Sequence, residues 1–221
     1  MQSPSEHHLL EKYIQQYELK AHLNADLLRC LRVYRFKPEQ AVYKALMEQT
    51  HLYFLVEGKA QVSYYLANGK QSIIMIIIPF SVVGDMEFLG DHPVQMNVIA
   101  TETSTFLGIR KSDALQYGYD DARFLRFIIQ YMSHKLRVSG QYQVSYDVPL
   151  INRVAMYLLQ QPINDACIIV ESKTIVADFL GTTTRHLNRI IKTLEDDHII
   201  QWNKGKVIIH DLSKLETCGE L

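Results

Sequence analysis

At 221 residues, 48% hydrophobic and 21% charged, the chain has room for one large domain or two small ones with a sizeable core. Its formal net charge of −1 gives nucleic-acid binding no global support, and residues 148–221 carry eight Lys and Arg against nine Asp and Glu. Cys30, Cys167 and Cys218 are too few and too scattered for a disulfide framework or a metal knuckle, and the apolar run at 73–80 is too short to span a membrane.

The N-terminus is polar, with no basic-then-apolar leader, so a cytoplasmic protein is expected. Residues 6–20 place Leu9, Leu10, Tyr13, Ile14 and Tyr17 at helical spacing, and a short helical fragment follows at 25–31. From 33 to 110 the character changes to strands and turns. Runs at 42–43, 53–56, 60–65, 71–78 and 96–109 are rich in β-branched and aromatic residues. Asn68-Gly69 between two of them is a strong hairpin signal. Many short strands predict a β-sandwich, jelly roll or barrel.

Helical periodicity returns over 120–144. Phe124, Ile128, Tyr131, Val138 and Tyr142 form one stripe, interrupted by Lys135, and Leu125, Ile129, Met132 and Leu136 form its neighbour. A helix apolar on two sides is expected between its own β domain and a second subunit. We assign the dimer seam to Phe124, Ile128, Tyr131 and Val138. Gly140, Asp147 and Pro149 mark a hinge. Residues 150–160 then read as an amphipathic helix with Leu150, Val154, Tyr157 and Leu158 inward, and 162–170 as a short β excursion.

Residues 173–202, KTIVADFLGTTTRHLNRIIKTLEDDHIIQW, carry the clearest functional signal. A helical segment ends at Gly181, and Thr182 or Thr183 can cap a second one. In that second segment Leu187, Ile190, Ile191 and Leu194 form an amphipathic stripe. The opposite face gathers Thr184, Arg185, Asn188, Arg189 and Lys192, with no acidic residue between Asp178 and Glu195. Such a face suits a major groove lined with phosphates and base edges. Two β-prone runs follow, joined by Asn203-Lys204-Gly205-Lys206, which makes the module a winged helix with Lys204 and Lys206 on the wing tip. Double-stranded DNA is the expected partner.

The order of elements resembles the Crp/Fnr family of bacterial transcription regulators over nearly the whole chain. The most specific pieces are YFLVEGKAQV (53–62), VVGDMEFLG (82–90) and GTTTRHLNRIIKTLEDDHII (181–200). FLRFIIQYMSHKL (124–136), with RHL in the second helix, looks closest to the YeiL-like branch. The resemblance implies an α+β fold in three parts. These are a cyclic-nucleotide-binding-like β-roll (jelly roll) over 1–119, a long dimerisation helix and hinge over 120–147, and a winged helix-turn-helix over 148–221. It also implies a homodimer that reads an inverted repeat, senses a small effector, and has RNA polymerase as a further candidate partner.

Nucleotide-binding members hold the ribose with a glycine–glutamate pair and clamp the cyclic phosphate with an arginine–serine pair. The corresponding positions here are Gly84-Asp85 and Val94-Gln95, the expected effector-pocket residues. A valine cannot offset a buried phosphate charge, so a cyclic nucleotide bound in the family's way is not expected. No cofactor, metal or catalytic group is expected either. Gly69-Lys70 lacks the rest of a Walker loop, with Tyr64 and Gln71 at its other positions. The alternative function is a β-roll effector-binding or interaction module whose helical tail binds protein.

Overall fold

The computed structural model describes residues 4–65, 71–90, 94, 96–144 and 148–219, and for 4, 5, 71 and 138–144 the backbone alone. The chain packs into two units, Met1–Val138 and Ser139–Leu221. The first unit begins with α1 (Pro4–Gln16) and α2 (Ala25–Cys30), followed by β1 (Arg32–Phe36), β2 (Ala41–Tyr43), β3 (His51–Glu57), β4 (Ala60–Tyr65) and β5 (Gln71–Ile77). It continues through β6 (Ser81–Val83), α3 (Asp85–Leu89), β7 (Asn97–Ala100), β8 (Ser104–Arg110), α4 (Lys111–Gly118) and α5 (Ala122–Val144).

Two four-stranded antiparallel sheets, ordered β1-β8-β3-β6 and β2-β7-β4-β5, form a β-roll. The run expected at 96–109 is two strands, β7 and β8, that enter different sheets. The Asn68-Gly69 turn lies outside the described residues.

Strand β3 shows why this sequence makes this layering. Successive side chains of a strand point to opposite faces. Leu52, Phe54 and Val56 enter the core beneath the helices, while Tyr53 and Leu55 enter the interior of the roll. Burial on both faces explains a continuous apolar run where alternation would be usual. The roll interior is closely packed with rings. Tyr53 meets Tyr34, Phe36 and Phe106 edge-on at centroid distances of 5.2, 6.0 and 5.9 Å. A Cβ at Gly108 would lie 2.6 Å from the Tyr34 ring and 2.7 Å from Tyr53, so only glycine fits that point of β8.

Helix α1 stops short of the expected Lys20 because Glu18 adopts φ 50°, and a single 3-10 turn follows at Leu19–Ala21. Helix α5 starts where the Asp121 carboxylate accepts from the backbone N–H groups of Arg123 (2.9 Å) and Phe124 (3.2 Å). Its first turns belong to the protomer's own core: Phe124 and Ile128 are 0% exposed and Phe127 is buried beside them. Tyr131 is half-buried against Phe80 and Phe127, with ring centroids at 5.3 and 5.0 Å. This takes Phe124 and Ile128 out of the expected seam, because neither has surface left for a second copy. The side chain of Val138 lies outside the described residues. In the neighbouring stripe Ile129 and Leu136 are 57% and 72% exposed, while Leu125 and Met132 are half-buried against the same core.

The second unit comprises α6 (Leu150–Leu159), β9 (Ile163–Asn164), β10 (Cys167–Ile169), α7 (Lys173–Phe179), α8 (Thr184–Asp196), β11 (Ile200–Asn203), β12 (Lys206–Ile209) and α9 (Leu212–Gly219). Its sheet runs β11-β12-β10-β9. Leu150, Val154, Tyr157 and Leu158 of α6 are buried, together with Leu187, Ile191 and Leu194 of α8. Helix α9 was not foreseen; its Leu215 is fully buried. Among the described residues no helix is long and apolar enough to cross a membrane.

Candidate nucleic-acid interface

The turn between α7 and α8 is fixed by backbone hydrogen bonds. The N–H of Thr182 donates to Ala177 O (2.9 Å) and that of Gly181 to Asp178 O (3.2 Å), the paired bonds of a Schellman cap. Gly181 sits at φ 61°, where a side chain would be strained. Arg153 of α6 donates to the carbonyl of Leu180 at 2.7 Å and ties the turn to the domain core. Thr183 is the N-cap of α8, its hydroxyl accepting from His186 N at 3.2 Å.

With α8 anchored by its apolar stripe, Arg185, Asn188, Arg189 and Lys192 project from the opposite face, all exposed. They stand at i, i+3, i+4 and i+7, one side of the helix. Thr184 is half-buried at its first turn, Thr182 is half-buried in the preceding turn, and the Thr183 cap is exposed.

The wing is a two-residue hairpin. Asn203 and Lys206 pair across it, and Lys204 and Gly205 take φ 26° and 80°. Lys204 and Lys206 are exposed. Glu195 of α8 accepts from Trp202 N at 2.8 Å, which locks the wing to the reading helix. One residue of this surface was missed by sequence reasoning. His186 is half-buried between Thr182 and Arg189, with its Nε2 2.8 Å from Arg189 Nη2.

The expected effector-pocket residues are differently placed. Gly84 adopts φ 88° and its backbone is packed so closely by Gln49, Tyr43 and the His51 carbonyl that no Cβ would fit. The Asp85 carboxylate, 3% exposed, is engaged by Lys135 Nζ at 2.7 and 2.9 Å. The carboxylate at the expected ribose position is therefore already paired within the protein. Val94 is buried in the aromatic roll core, and Gln95 lies outside the described residues. Burial drives the Tyr53 phenol up to about 12 and raises Tyr43 as well, in keeping with an interior that disfavours charge. Burial, followed by the Arg110 charge, lowers the His51 imidazole. At the ribose position the carboxylate is thus paired with Lys135, and at the phosphate-clamp position Val94 is an aliphatic side chain within the core.

A ligand-sensing type of roll followed by a winged helix defines the class of two-module transcription regulators. Comparison with known proteins agrees. The cyclic nucleotide-binding domain family matches residues 33–118, and the Crp-like helix-turn-helix domain family matches 152–218. The chain belongs to the Crp/Fnr family of transcription regulators. The regulatory protein YeiL of Escherichia coli O157:H7 is 26% identical over 185 residues, 83% of this chain and 84% of that protein. It represents the branch indicated by residues 124–136. FixK2 from Bradyrhizobium japonicum superposes with a TM-score of 0.78 at 16% identity, covering 86% of this chain and 98% of its own. A CooA mutant from Carboxydothermus hydrogenoformans gives 0.73 at 14% identity, covering 92% and 94%.

Proposed function

We propose that this regulator is a cytoplasmic homodimer that reads an inverted DNA repeat through α8. On this reading its roll does not take cyclic AMP in the family's usual way. The observation that carries the proposal is the capped, exposed face of Arg185, Asn188, Arg189 and Lys192 beside a lysine-tipped wing. From Arg185 to Lys192 that face carries cationic and amide groups, which match phosphate oxygens and purine edges in a major groove, and its first acidic group is Asp196 at the end of the helix. Arg185 can only donate hydrogen bonds, so it suits guanine O6 and N7 or a phosphate. Members with glutamate at that position accept from a base amine instead, so the half-sites should differ there.

The dimer reading rests on Ile129 and Leu136, the exposed members of the second apolar stripe of α5. Leu125, Ile129, Met132 and Leu136 follow alternating steps of four and three residues, the spacing of a coiled-coil seam. A small effector other than a cyclic nucleotide and contact with RNA polymerase complete the proposal. Band shifts over a salt series test the DNA arm. Binding should weaken steeply with salt as neutralised phosphates regain counterions, whereas a protein-binding tail would retain no duplex at low salt.

A further inference from the structure

The reading face of α8 contains a contact that bears on specificity. Arg189 has only donors, so its 2.8 Å approach to His186 requires Nε2 of the imidazole to accept. The ring proton then sits on Nδ1, which faces Thr182 Oγ1 at 3.4 Å. The backbone of His186 is held in turn, because its N–H donates to the Thr183 hydroxyl that caps the helix. Thr182, Thr183, His186 and Arg189 therefore form one chain of contacts, from the turn to the guanidinium at the exposed face.

We propose that His186 is a positioning residue for Arg189, an inference that rests on the DNA-reading role of α8. A free arginine side chain samples many rotamers and loses that freedom on binding. A guanidinium already held by one N–H on the imidazole keeps its remaining donors free and directed. Bidentate recognition of a guanine edge needs such a fixed fork. His186 thus acts on the base pair read by Arg189 without touching DNA itself.

The experiment uses the full-length protein, a duplex carrying the site enriched from random-sequence DNA, and its single-base-pair variants. Arg189→Ala identifies the base pair concerned by abolishing preference there. His186→Ala should then reduce preference at that same base pair by roughly threefold to tenfold, the worth of one net hydrogen bond. Its affinity for an unrelated duplex should not change. His186→Gln places an amide oxygen near the position of Nε2 and should restore the preference, which a merely structural role of the ring would not predict. Thermal unfolding checks that each variant is folded.

Unchanged preference in His186→Ala would overturn the proposal. So would an equal loss on every duplex, or a glutamine variant no better than alanine. If Arg189→Ala is silent while the wild type binds selectively, there is nothing for His186 to position and the proposal fails. A wild type that enriches no site defeats the DNA-reading role itself, an outcome distinct from failure of the two His186 variants alone.

Discussion

Lys135 interrupts the apolar stripe of α5 in the sequence, and in the structure it is the partner of a buried carboxylate. Removing one member of a buried pair leaves the other charged without compensation. Lys135→Met should destabilise the first unit by about 3–5 kcal/mol, and adding Asp85→Leu should recover most of the loss. Urea unfolding measures both; a loss below about 1 kcal/mol for Lys135→Met would mean that solvent reaches Asp85. On the reading helix, Arg185→Ala should cost about 1–3 kcal/mol on the selected site and relax preference at one base pair. Lys204→Ala should instead weaken all duplexes alike and flatten the salt slope. A loss equal on every sequence for Arg185→Ala would make it a phosphate contact. The residues proposed to face DNA were legible as an exposed cationic face because the periodicity of α8 separates it from the apolar one. His186 was not, because its role depends on rotamers that bring Thr182 and Arg189 to opposite sides of one ring. Lys135 did leave a signal: a cation within a core stripe implies a buried anion, although spacing cannot say which one.

At the scale of elements, α5 carries the main revision. Its doubled stripe was legible, but which side faces the roll was not, since both sides carry large apolar residues at helical spacing. The roll takes Phe124, Phe127 and Ile128, and leaves Ile129 and Leu136 exposed. Ile129→Asp or Leu136→Asp should therefore yield folded monomers, because each places a charge in the proposed seam. Ile128→Asp should instead unfold the first unit, since it places that charge in the core. Light scattering paired with circular dichroism separates the two outcomes. A monomeric wild type at micromolar concentration that still binds DNA tightly would remove the dimer. Short elements were the hardest to read. Helix α3 spans only Asp85–Leu89, little more than one turn, and the break between β7 and β8 lies in three residues with no proline or glycine. The wing was clear because Gly205 marks a turn that needs positive φ.

For the whole molecule, the family relationship gives a sensor and a reader, while the packing argues against the familiar ligand. Calorimetry with cyclic AMP at millimolar concentration should show no saturable heat, because Lys135 engages Asp85 and Val94 is part of the core. Micromolar binding would require a cation to reach the phosphate from elsewhere. The central claim, a two-fold dimer reading DNA through α8, is tested most directly by selecting bound duplexes from random sequence with the full-length protein. The expected result is an inverted repeat whose half-sites lie roughly 34 Å apart, about one helical turn, and differ at the base pair facing Arg185 from those of members with glutamate there. An enriched pool containing only single half-sites, or no enrichment at low salt, would contradict it.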